Sequence, residues 1–163
     1  MYQAGHVGAA LLAYTPLGVA TALAGHESVA IGGALVSIAL ATLPDVDHQL
    51  PSIEHRGPTH TVLFAVLVGI VVSVAATVAV GPSSTVGGVS IGAFAFVVGT
   101  LAIVSHLLAD AITPMGIRPF WPVSDRHYTL DLTRAANPVA NYALLTVGVV
   151  AVSLGAGVVS ALG

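Results

Sequence analysis

The sequence predicts an all-α integral membrane bundle of about five transmembrane helices, with a polar His/Asp cluster at one membrane face. Three observations predict it. Only 7% of the 163 residues are charged while 56% are hydrophobic, against roughly 25% charged residues in a soluble domain. Five long stretches contain no Asp, Glu, Lys or Arg, and the ionisable residues fall mostly in the two connections 44–60 and 110–138. The whole chain, 1–163, is short enough to be one domain.

The five expected spans are 7–24, 28–43, 61–80, 89–109 and 139–162. Crossing a bilayer takes ~20 mainly apolar helical residues, and four of the five meet that length. The second is short and contains glycine, so its continuation toward Pro44 and a partner helix are expected to complete the crossing. Valine- and alanine-rich runs can also form strands, but runs this long and unalternating fit helices, because lipid offers backbone groups no partner outside a helix or a closed barrel. Gly25-His26-Glu27 separates the first two spans, and the segment 81–88, rich in Gly and Ser, separates the third and fourth; both are expected to be short turns without further features. The chain opens without Lys or Arg before its first apolar stretch, so that helix is expected to be retained rather than cleaved.

Composition narrows the chemistry. With no cysteine, neither a disulfide framework nor a thiolate zinc site is available, and a metal would rest on imidazole and carboxylate ligands. A net charge of −3 and the lack of any basic run argue against nucleic-acid binding. Five crossings place the N-terminus and both polar connections on one side. All four basic residues, Arg56, Arg118, Arg126 and Arg134, share that side, which the positive-inside rule makes cytoplasmic.

The same parity gathers the ligand-type residues. His106 and Asp110 stand four apart at the end of the fourth span, on one helix face. Asp45 and Asp47 follow Pro44, and carboxylates so close repel unless a cation or protons compensate them. His55 and His60 bracket a tight Arg-Gly-Pro-Thr turn, and His6 stands at the mouth of the first span. Four histidines and three aspartates on four segments suit one or two divalent ions, zinc-like or manganese-like. Other ionisable groups have simpler readings: His26 and Glu27 contact headgroups and water, and His48, a third ligand or part of its turn, is read as part of the turn. Glu54, Asp125 and Asp131 are solvated, capping or Arg-paired, Arg134 is an anchor, and His127 is undecided.

Three blocks then carry a resemblance: Leu43-Pro44-Asp45-Val46-Asp47-His48, His55-Arg56-Gly57-Pro58-Thr59-His60-Thr61, and the run from His106 through Asp110, Thr113-Pro114-Met115-Gly116-Ile117-Arg118 and Phe120-Trp121-Pro122 to Ser124. They resemble the YdjM-like membrane-bound metal-dependent hydrolases. The resemblance covers 43–126 together with His6, and implies a multi-span membrane hydrolase with ligand roles for His6, Asp45, Asp47, His55, His60, His106 and Asp110. A more distant similarity links His106, Asp110 and Pro114 to the zinc phospholipase C and single-strand nuclease superfamily. Here Gly116 stands where that superfamily has another histidine.

The function expected from these residues is hydrolysis of a phosphoester, such as a phospholipid or other amphipathic substrate. A metal ion would acidify water from a pKa of about 15.7 toward ~7. Arg118, Arg56 and Arg126 would stabilise negative charge on the substrate, and Asp47 would act as general base. A metal transporter or metal-binding regulator would use the same residue types, although transport sites generally lie near the bilayer midplane. A membrane scaffold with an inactive site is the third reading.

Overall fold

The computed structural model describes residues 1–49 and 55–163; of the residues discussed above, Glu54 lies outside them. Five helices organise the chain: α1 (Gln3–Leu23), α2 (Glu27–Leu40), α3 (Val62–Val80), α4 (Ile91–Ala111) and α5 (Pro138–Leu162). All five crossings are long and apolar enough to span a membrane, the second by running on from α2 through a 3-10 segment, Leu43–Gln49. That continuation carries Asp45 and Asp47 on the tighter helix. A second short 3-10 turn, Pro58–His60, leads into α3.

Three of the helices, α3, α4 and α5, start where a side chain satisfies free amide groups. The Thr61 hydroxyl accepts from Phe64 N at 3.1 Å, Ser90 from Ala93 N at 3.2 Å, and Asn137 from Val139 N at 3.0 Å with Pro138 at the first helical position. Helix α4 is the most enclosed. It packs against α3 on one side and against α1 and α2 on the other, while α5 packs along α1. Val98, Phe94 and Tyr14 form one apolar cluster, and Ile103, Leu107 and Ala65 another nearer the polar end. The outward faces of α3 and α5 are apolar, with Val78 81% and Leu154 67% exposed, as a lipid solvent requires.

Glycine lets the α1–α5 pair close. A Cβ on Gly8 would overlap the Leu144 backbone, and one on Gly148 would overlap the Gly8 carbonyl. The segment 81–88 is more structured than the sequence suggested. Thr85–Val86 and Val89–Ser90 form a hairpin around Gly87-Gly88, whose φ values of 55° and 80° fit a two-residue turn with positive φ at both central positions. Val86 enters the core beside Tyr14, an anchor that a glycine-rich turn does not advertise.

The connection after α4 folds back over the helix end. Ile117 and Tyr128 exchange backbone hydrogen bonds at 3.0 and 2.9 Å, and Leu130 N donates to Ala111 O at 2.7 Å. Pro119 O accepts from Val62 N at 2.8 Å, tying the connection to the start of α3. The N-terminus, the α2–α3 connection and this connection therefore share one end of the bundle.

Candidate metal centre

At that end, His6, His60, His106, Asp47 and Asp110 are all at most 2% exposed. Burying so many ionisable groups is unfavourable unless each is paired or a cation compensates them. Four elements bring these groups and Asp45 together: His6 on the first turns of α1, Asp45 and Asp47 on the 3-10 extension of α2, His60 on the turn before α3, and His106 with Asp110 one turn apart on α4.

Donor atoms of His6, Asp45, His106 and Asp110 lie within 4.8 Å of one another, with His60 Nε2 beside them. Nε2 of His6, His60 and His106 lie 3.6 Å from Asp45 oxygens and 3.4 to 3.5 Å from Asp110 oxygens. These separations are long for hydrogen bonds. They match the edge of a tetrahedron built with metal–ligand bonds of ~2.0–2.1 Å, roughly 3.3 Å.

Proton positions reinforce the point. His106 Nδ1 lies 2.8 Å from the Ala41 carbonyl, which can only accept, so in the neutral ring Nδ1 holds the proton and Nε2 presents a lone pair. His60 Nδ1 lies 3.0 Å from Thr59 Oγ1 and 3.3 Å from Asp47 Oδ2, which orients its Nε2 inward in the same way. The two Nε2 atoms are 3.1 Å apart, and two lone pairs facing each other at that distance need a cation or a shared proton between them. Among the described residues no hydrogen bond reaches buried Asp110 Oδ2. The donor set thus fits a divalent ion. Burial works against the charged form of His60, but the Asp110, Asp45 and Asp47 carboxylates around it outweigh burial and raise its pKa above the usual value.

Further groups hold these donors in place. Asp47 accepts from Arg56 N at 3.1 Å and from Thr59 Oγ1 at 2.8 Å, and its Oδ1 is 2.9 Å from His55 Nδ1. The buried Arg56 guanidinium donates to Asp110 Oδ1 at 2.9 Å, Thr113 Oγ1 at 2.9 Å and Gly116 O at 3.0 Å. The α-amino group of Met1 also pairs with Asp110 Oδ1, and the Met1 carbonyl oxygen lies 3.0 Å from His6 Nε2. Gly116 has φ 54°, and a Cβ there would run into Tyr128 O and the His127 ring, so a histidine does not fit at 116.

A cleft of about 710 Å³ opens over the cluster, and Asp45, His48, His55, Arg56 and Arg134 are among its walls. The other arginines stand elsewhere: Arg118 is half-buried in the returning connection, and exposed Arg126 lies over the Tyr128 ring, 5.2 Å from its centroid. Neither lines the cleft. Sequence reasoning gave His48 to its turn and Arg134 to anchoring, and it missed the Met1 backbone. His48 was signalled by its place in Asp-Val-Asp-His, and Arg134 by sharing the side of the cluster, but a backbone ligand-shell contact leaves no mark in residue type.

The family model described as YdjM inner membrane protein matches residues 1–162. No curated protein and no solved structure matches the chain.

Proposed function

The chain belongs to the YdjM inner membrane protein family, and from the donor geometry at its polar end we propose that it is a membrane-bound metal-dependent hydrolase acting on phosphoesters. The observation that carries this reading is the convergence of three imidazole Nε2 atoms on two carboxylates at 3.4 to 3.6 Å. A divalent ion held there, zinc or manganese by the chemistry of the donors, supplies Lewis acidity and activates water at neutral pH.

In this reading His6, His60, His106, Asp45 and Asp110 hold the ion. Asp47, expected as a base, has both oxygens engaged, so we assign it to positioning His55 and His60. Arg56 fixes Asp110 and faces the cleft, where its charge favours an anionic substrate. Arg134, exposed on the cleft wall, is placed to receive phosphate oxygens through its planar fork, a role the sequence had distributed to Arg118 and Arg126. Because the cleft lies at the ends of lipid-exposed helices, the substrate we favour is a phospholipid or another amphipathic phosphoester entering laterally, from the cytoplasmic face given by the arginine bias.

The test is elemental analysis of protein purified without strong chelators, beside His106→Ala and Asp110→Ala, followed by a lipid phosphoester screen in detergent. Stoichiometric metal in the parent, lost in both variants, together with turnover that follows the metal, is expected. A metal-free parent after reconstitution would sink the proposal. Metal without turnover on any phosphoester would remove the hydrolase part.

A further inference from the structure

We infer that the centre holds two ions, the second bound by His48 and His55 together with Asp45, which bridges to the first. This rests on the metal-centre reading above. Among the described residues, Asp45 is the one carboxylate common to two groups of donors. It joins His6, His106 and Asp110 in the buried group, and Asp47, His48 and His55 in a second group, each group having donor atoms within 4.8 Å of one another.

The second group has the marks of a built site. His55 turns Nδ1 to Asp47 Oδ1 at 2.9 Å, the carboxylate–imidazole pairing that fixes a ring and leaves its Nε2 for an ion. The His48 ring stacks on His55 at 3.6 Å between centroids, which holds both imidazoles at the same wall of the cleft. Asp45 is 26% exposed on its side chain, in contrast to Asp110 at 1%, so although both of its oxygens lie 3.6 Å from buried imidazoles the group also reaches the cleft. An ion there would meet substrate directly and exchange readily, whereas the first is enclosed. Paired ions bridged by one carboxylate suit an in-line displacement, since they can clamp attacking and leaving oxygens together.

The experiment is a Mn²⁺ titration of the chelator-stripped full chain in detergent, following free Mn²⁺ by its electron paramagnetic resonance signal, with His48→Ala and Asp45→Asn in parallel. Two equivalents in the parent are expected, the second weaker, with a spin-coupled signal from the bound pair. His48→Ala should retain only the tight equivalent, which also shows that the variant is folded; Asp45→Asn should lose the coupling. A single equivalent in the parent that His48→Ala leaves unchanged would overturn the second site and leave the first standing. Two equivalents that persist in His48→Ala would overturn its placement, and none in the parent would overturn both.

Discussion

Asp110 meets more of the centre than any other side chain: it pairs with Arg56 and the Met1 α-amino group through Oδ1 and faces three imidazoles. A carboxylate buried in an apolar bundle is tolerated only with such compensation. Asp47 shows the complementary principle, since it acts through the rings it holds. Asp47→Asn keeps the shape but weakens acceptance from two histidines, so metal affinity should fall about 10- to 100-fold, as is usual for outer-shell partners, with the fold retained; a competition assay against a chromogenic chelator measures it. Unchanged affinity would mean that Asp47 is structural only. At the cleft wall, Arg134→Gln should raise KM for an anionic lipid substrate and leave kcat and bound metal unchanged, because Arg134 is exposed and, among the described residues, makes no hydrogen bond or ion pair with the donor cluster. A loss of metal in that variant would contradict this assignment.

At the scale of elements, the site depends on how closely helices approach. His6 is carried by α1, and α1 is held against α5 through the Gly8–Gly148 contact. Gly148→Leu should force the pair apart at a cost of about 1–3 kcal/mol, the usual range for overpacking. A lower thermal midpoint in detergent is the expected readout, accompanied by poorer metal retention as His6 moves. The α2 extension matters in the same way: helix geometry running on as a 3-10 turn delivers Asp45 and Asp47 at the bundle end, where an abrupt helix stop at Leu40 would leave them short. The hairpin at 85–90 does the opposite job, sealing the far end by inserting Val86 beside Tyr14 and Phe94.

At the scale of the molecule, five crossings put the metal end and the hairpin end on opposite sides of the membrane. Because the chain has no cysteine, single cysteines report that topology cleanly. Ser83→Cys, near the exposed hairpin, and Val123→Cys, on a residue 93% exposed, should react with an impermeant maleimide from opposite faces, Val123→Cys from the cytoplasmic one. Labelling of both from one side would break the five-span parity; reversed sides would invert the orientation drawn from the arginines.

Composition and hydrophobic run length by themselves determined the fold class and the crossings closely, except that the second runs on to Gln49 beyond its expected end at 43, because lipid admits little besides apolar helices. Residue type and parity likewise nominated the histidines and aspartates, since unpaired ionisable groups are costly beside a membrane. Other features depended on contacts between segments distant in the chain, which no local pattern encodes. Such contacts decided that His6, Asp45, His60, His106 and Asp110 point their donors at one centre. They also engaged both oxygens of Asp47, clamped Arg56 onto Asp110, and put Arg134 rather than Arg126 on the cleft wall.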